Sequence, residues 1–188
     1  WIFGEEGTEV TGNTTLYAKW IECSPVTCFT FTETESAATI TGLTESGEAV
    51  ENLVIPLDYN GKALTTININ GVAYSTMLKK LTIGKSVTTI NTPLFQNCIN
   101  ITEINVVEEN NSFTAIDGVL FNKSADTIVM YPQGKPDTSY TITGNITNIA
   151  AGAFHEAKNL TAVTIINPEI TFGMNIFNSC TNLANVTL

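Results

Sequence analysis

Three stretches of this chain follow one pattern: TPLFQNCINITEINV (92–106), AGAFHEAKNLTAVTI (151–165) and MNIFNSCTNLANVTL (174–188). Counted from each Phe, apolar residues recur at +6, +9 and +11. They are Ile101, Ile104 and Val106 after Phe95; Leu160, Val163 and Ile165 after Phe154; Leu183, Val186 and Leu188 after Phe177. The +3 residue is small each time (Cys98, Ala157, Cys180), and an apolar residue stands five positions upstream (Ile90, Ile149, Phe172). A weaker copy centres on Val72, with Ile67, Ser75, Leu78, Leu81 and Ile83 at the matching offsets. A divergent copy centres on Phe121, with Ile116 before it and TIVMYP after it. The anchors Val72, Phe95, Phe121, Phe154 and Phe177 are separated by 23, 26, 33 and 23 residues. Repetition at such a period points to a solenoid, and it constrains the fold before any local assignment is made.

One unit has a simple physical reading. The L-x-x-I-x-I run puts alternate residues on one face of a short strand. The Phe-x-x-small segment before it is a compact turn that drops an aromatic inward. A single unit cannot bury its apolar face, whereas stacked copies pair their strands in parallel and share one core. Each repeat is therefore expected to supply one parallel strand. The two longer spacings fall around 110–112 and 132–139, polar or Pro/Gly-containing stretches expected to bulge out as loops.

Residues 1–22 read as the tail of a separate β-module, because TEVTGNTTLYAKW alternates around a Gly-Asn turn. Residues 23–28 form a linker. In 29–57, strands at Phe29–Glu33 and Ala37–Leu43 suit an end cap, and VENLVIP a first rung. The repeats occupy 58–188, about five of them. The chain starts at Trp1 and ends on a repeat strand at Leu188. It is therefore expected to be a fragment, with targeting signals outside it and further sequence beyond its end. No apolar run is long enough to span a bilayer.

The motif V-x-x-I-x(4)-F-x-x-C-x-x-L-x-x-I-x-I, carried by Val87, Ile90, Phe95, Cys98, Ile101, Ile104 and Val106, resembles bacterial leucine-rich repeats of the BspA type, the Treponema pallidum-like class. DGVLFNKSADTIVMYPQGK (117–135) is similar to a second form of that unit. TGNTTLYAKW resembles the end of a Listeria–Bacteroides repeat, a small β-grasp-like module. Two departures stand out: Val72 replaces Phe, and the Phe121 copy is out of register by a residue. The resemblance implies an α/β-type leucine-rich-repeat solenoid of mostly short parallel strands, with turns, short helical segments and an N-terminal β-hairpin cap.

Composition narrows the partners. The chain has net charge −10, eight Lys and no Arg. Arg is the preferred reader of phosphate and base edges, so nucleic acid is an unsuitable partner, and anionic membrane is disfavoured likewise. Thirty Thr and twenty Asn suit short strands and Asn-lined turns. Ten of the eighteen acidic residues lie in 1–60, including Glu45, Glu48 and Glu51, and read as a solvated face.

No stretch carries a recognisable catalytic motif. G-x-S-x-G, H-E-x-x-H and G-x-x-x-x-G-K are all missing from the sequence. The single His, His155, takes a repeat position held elsewhere by Gln96 and Asn178, so it is expected in an exposed turn. Glu108 and Glu109 sit in a polar loop, where charges are usually solvated. Cys98 and Cys180 fill one core-facing slot three rungs apart, roughly 14 Å at the strand spacing, too far for a disulfide. Cys23 and Cys28 flank Pro25 and either close a small disulfide or remain free thiols. No metal site and no cofactor are expected. The sequons at Asn100 and Asn159 fall at equivalent repeat positions, and the repeat explains them.

Outward strand positions give a candidate protein-contact strip: Lys80, Thr82, Glu103, Asn105, Val107, Ala162, Thr164, Ile166, Asn185 and Thr187. It is polar, small and without aromatics, which argues against a sugar cleft. The resemblance implies a non-catalytic, extracellular bacterial surface module that binds host or partner-cell proteins. A passive spacer, or an accessory module of a secreted enzyme encoded elsewhere in the chain's gene, are the alternatives.

Overall fold

A computed structural model describes residues 25–68, 75–91 and 97–188. Cys23, Val72, Phe95 and the proposed β-module at 1–22 lie outside the described residues. The strands in chain order are β1 (Phe29–Glu33), β2 (Ala37–Leu43), β3 (Asn52–Val54), β4 (Asp58–Tyr59), β5 (Lys62–Ile67), β6 (Lys80–Ile83), β7 (Thr89–Ile90) and β8 (Glu103–Val106). They continue as β9 (Phe113–Ile116), β10 (Val119–Asn122), β11 (Thr127–Met130), β12 (Ser139–Ile142), β13 (Asn148–Ile149), β14 (Ala162–Ile165), β15 (Thr171–Phe172) and β16 (Asn185–Thr187). Among the described residues, helical structure is confined to a 3-10 turn at Pro25–Cys28 and one turn, α1, at Glu45–Glu48. Thr44 caps α1, its Oγ1 accepting from the Gly47 N–H at 3.2 Å.

β1 and β2 form an antiparallel hairpin over the residues expected from sequence. The solenoid then winds with two short strands per rung, which corrects the expectation of one. The front strands β3, β6 and β8 pair in parallel, as do β12, β14 and β16. The back strands β2, β5 and β7 pair in parallel, as do β11, β13 and β15. Four of the back strands end on the apolar residue five positions before the anchor: Ile67, Ile90, Ile149 and Phe172. A two-residue strand is too short for alternation to reveal it.

Between the two walls lies the core. Leu81, Ile83, Ile104, Val163 and Ile165 on the front strands are buried, as are Ile67, Ile128 and Ile149 on the back. Each such side chain contributes about 1.5–3 kcal/mol by leaving water. Phe154, 0% exposed, stacks between Tyr131, at 5.1 Å between ring centroids, and Phe177, at 5.3 Å. Tyr131 thus holds the aromatic slot before Phe154. Phe121, the anchor expected from sequence, lies on β10 instead.

The long insertion explains that shift. β9 and β10 form an antiparallel hairpin, and β10 pairs antiparallel with β11. The hairpin is wedged between two rungs and divides the core. Leu120 packs with Phe113, Val129 and Met130 into the N-terminal cluster. Its neighbours Val119 and Phe121 pack with Ile128, Tyr131 and Ile142 into the C-terminal one. A strand buried on both faces has no polar side, so β10 reads as an apolar run. The stretches expected to bulge are exposed only in part: Asn111, Pro136, Thr138 and Ser139 are exposed, whereas Asn110 is 0% exposed and Gln133 2%.

Candidate functional site

The proposed strip lies on the front wall, in two pieces. In the first, register places Asn52, Lys80 and Glu103 in one row, and Val54, Thr82 and Asn105 in the next. In the second, Ser139, Ala162 and Asn185 form one row, and Thr141, Thr164 and Thr187 another. Val107 and Ile166 follow the ends of β8 and β14; Ile166 is 57% exposed, while Val107 is only partly so. Asn52, Val54, Ser139 and Thr141 complete the rows and were missed, because their repeats depart most from the Phe-anchored pattern.

The pieces are separated where the β9–β10 hairpin interrupts the front sheet. Its turn, Asp117 (φ 50°) and Gly118 (φ 76°), takes the place of the next strand: the Ile104 N–H donates to the Gly118 carbonyl at 2.9 Å. Nearby the Gly134 N–H donates to the Ile101 carbonyl at 2.7 Å. A Cβ on Gly134 would lie 2.8 Å from the Asn100 backbone, so only glycine allows this approach. Beside these contacts lies an open depression lined by Thr102, Glu103, Asp117, Gly118 and Lys135.

Charges gather around it. Lys80 Nζ is 2.7 Å from Glu103 Oε2, and Asn105 Nδ2 donates to Glu103 Oε1 at 2.8 Å. These bonds, Lys80's first, hold the Glu103 carboxyl below the usual glutamate range. Lys135, only 15% exposed, lies 3.2 Å from Asp137. The Tyr140 phenol is pushed up to about 12 by burial first, then by Asp117 and Asp137. Exposed pairs of this kind contribute about 0.2–1 kcal/mol each to stability.

The repeats match the family model "BspA type Leucine rich repeat region" in six copies over 46–133 and 133–188. The chain belongs to the BspA type leucine-rich repeat family. Solved structures of leucine-rich repeat proteins share the fold. The pneumococcal vaccine antigen PcpA is 24% identical, with TM-score 0.57 over 73% of this chain and 39% of that one. A leucine-rich cell surface protein of Faecalibacterium prausnitzii is 21% identical, with TM-score 0.54 over 76% of this chain and 42% of that one. The Treponema pallidum leucine-rich repeat protein is 16% identical, with TM-score 0.50 over 87% of this chain and 81% of that one. The chain thus spans only 39% of PcpA and 57% of a Eubacterium ventriosum leucine-rich repeat protein. No curated protein matches the sequence.

Other chemistry-bearing residues are built into this BspA-type scaffold. Cys98 is buried and Cys180 half-buried, and neither is in a disulfide. Burial pushes the Cys98 thiol up to about 11. Cys180 is raised for the same reason and donates its S–H to the Phe154 carbonyl at 2.8 Å. Cys28 is buried and disulfide-bonded. His155 is not the exposed turn residue expected. Its side chain is 14% exposed and its Nδ1 lies 3.7 Å from Glu156 Oε2. The following rung covers it, with the Glu156 N–H donating to Asn178 O at 2.9 Å. Glu156 Oε2 in turn accepts from the Asn97 N–H at 2.8 Å. Among the described residues, no His, Cys, Asp and Glu gather into a metal-binding group, and no helix is long and apolar enough to cross a membrane.

Proposed function

We propose that the chain is a non-catalytic interaction module of a bacterial cell-surface protein, whose front wall contacts host or partner-cell proteins. The observation that carries this reading is the pair of in-register strand ladders. They set Lys80, Glu103 and Asn105 side by side on one sheet, and Thr164 and Thr187 on the other. Specific protein contacts bury about 800 Å² per partner, and a multi-strand wall suits such an area better than a narrow cleft. The similarity to PcpA, a pneumococcal vaccine antigen, and to a cell surface protein of F. prausnitzii supports the location.

The test is binding of the purified protein to immobilised matrix proteins and mucins at two salt concentrations. Saturable binding that weakens in a Lys80→Ala, Glu103→Ala double variant of unchanged fold supports the reading. No binding by the folded protein to any of them favours the spacer role instead.

A further inference from the structure

We propose that the depression interrupting the front sheet binds a basic side chain, the guanidinium or ammonium group of an extended partner segment, against the carboxylate of Asp117. This deepens the protein-contact reading and rests on it. The depression is a product of construction rather than of loose packing. Gly118 lies in its floor and accepts from the Ile104 N–H, while Gly134 packs against the Asn100 backbone just before β8. A Cβ added at Gly118 would come within 3.3 Å of Glu103 Cγ, which makes the turn a close-fitting floor.

Charge accounting selects the ligand. Of the three ionic groups lining the depression, Glu103 is held by Lys80 and Asn105, and Lys135 by Asp137. Asp117 has no hydrogen bond or ion pair among the described residues, yet it stands in an Asp-Gly turn with both residues at positive φ, paired to β8 through Gly118. The turn fixes the backbone that carries the exposed Asp117 carboxylate. An anion would meet Glu103 and Asp117, and Lys135 already has a carboxylate partner. A cation meets one unmatched carboxylate and a second just beyond it. The net charge of −10 favours encounter with basic segments, more so at low salt.

The test uses backbone-amide NMR of the protein with the blocked tripeptide acetyl-Gly-Arg-Gly-amide, and with its citrulline counterpart, which keeps the shape and loses the charge. The expected result is saturable shifts centred on Thr102, Glu103, Gly118 and Lys135 with the Arg peptide and none with the citrulline peptide. Asp117→Asn, which suits a positive-φ turn position and leaves the fold intact, weakens binding by about three- to five-fold, the worth of one partly exposed ion pair. Glu169→Gln, at an exposed acid elsewhere, leaves it unchanged. Shifts spread evenly over exposed acids, equal binding of the citrulline peptide, or full affinity in Asp117→Asn would overturn the site. Peptide binding without capture by any immobilised protein removes the adhesion reading and leaves the site standing. Capture without peptide binding does the reverse.

Discussion

The side-chain amide of Asn159 donates to the backbone carbonyl of Lys135 at 2.9 Å. Asn100 makes the equivalent bond to Thr76 at 2.6 Å, and Asn182 to Lys158 at 2.7 Å. Each Asn lies five residues after an aromatic anchor, and each ties its own rung to the one before. The sequons at Asn100 and Asn159 are therefore by-products of a structural ladder. A net hydrogen bond of this kind is worth about 0.5–1.5 kcal/mol. Asn159→Ala is expected to lower unfolding stability by about 1 kcal/mol in urea titration. Asn159→Asp should lower it further, because a carboxylate cannot donate and would face the carbonyls of Gly134 and Lys135. Equal stability of the Asp variant and the wild type would refute the ladder.

Asn110 is the buried counterpart. Its Nδ2 donates to Gly84 O at 2.8 Å and Val87 O at 3.0 Å, and its Oδ1 accepts from the N–H groups of Ser112 and Phe113, both at 2.8 Å. All four bonds are lost in Asn110→Ala, and several backbone groups are left buried and unpaired. The expected loss is about 3 kcal/mol or more. A loss under about 1 kcal/mol by chemical denaturation would mean that water reaches these groups and that the β8–β9 connection is looser than described.

Much of the front wall was legible because its strands carry alternation over four residues, as in KLTI and AVTI. The β1–β2 hairpin was legible for the same reason. The back wall was not, since its strands shrink to Thr89–Ile90 or Thr171–Phe172. The wedge was missed because β10 is buried on both faces, so Phe121 imitates a repeat anchor while Tyr131 fills the slot. A signal was available in Asp117-Gly118 and Asn60-Gly61, dipeptides that favour two-residue hairpin turns; both adopt positive φ here. Polarity misled at Asn110 and His155, where neighbouring rungs cover residues that composition alone assigns to solvent. The depression was invisible for a related reason: its lining comes from three separate segments, at 102–103, 117–118 and 135.

Alkaline pH should weaken the fold in a defined order. Burial raises the Cys98 thiol to about 11, Tyr140 to about 12, and Tyr131 above its ordinary value as well. All three are neutral when protonated, and in each the unfolded chain releases its proton first. Between about pH 9 and 11 the unfolded state therefore binds fewer protons than the folded one, and stability falls as pH rises. The contribution is fully present below about pH 8.5, the ordinary cysteine value. Thermal melts should show a steady Tm from pH 7 to 8.5 and a decline above it. Cys180, raised for the same reason, acts in the same window. Cys98→Ala should make the decline shallower, and Cys98→Ala with Cys180→Ala should delay its onset to above about pH 10, where the tyrosines begin to titrate. An onset unmoved in the double variant would show that these thiols do not link folding to pH.

The aromatic stack gives the sharpest test of rung order. Phe154 is 0% exposed, with Tyr131 on one side, Phe177 on the other and Tyr140 at 5.8 Å. Truncation to Ala removes the ring from the centre of the C-terminal cluster, where rungs above and below cannot close the gap without shifting their own backbone pairing. Such substitutions cost about 3–5 kcal/mol. Phe177 is only partly buried, packed on one side by Phe154, so Phe177→Ala should cost less than half as much. Because each rung contacts mainly its neighbours, the two losses should not add: Phe177 loses its stacking partner when Phe154 is gone. A double-mutant cycle by urea denaturation with unchanged m-values measures this directly. A coupling near zero would mean that the two rings do not stack, and that the register of the last two rungs differs from the one described.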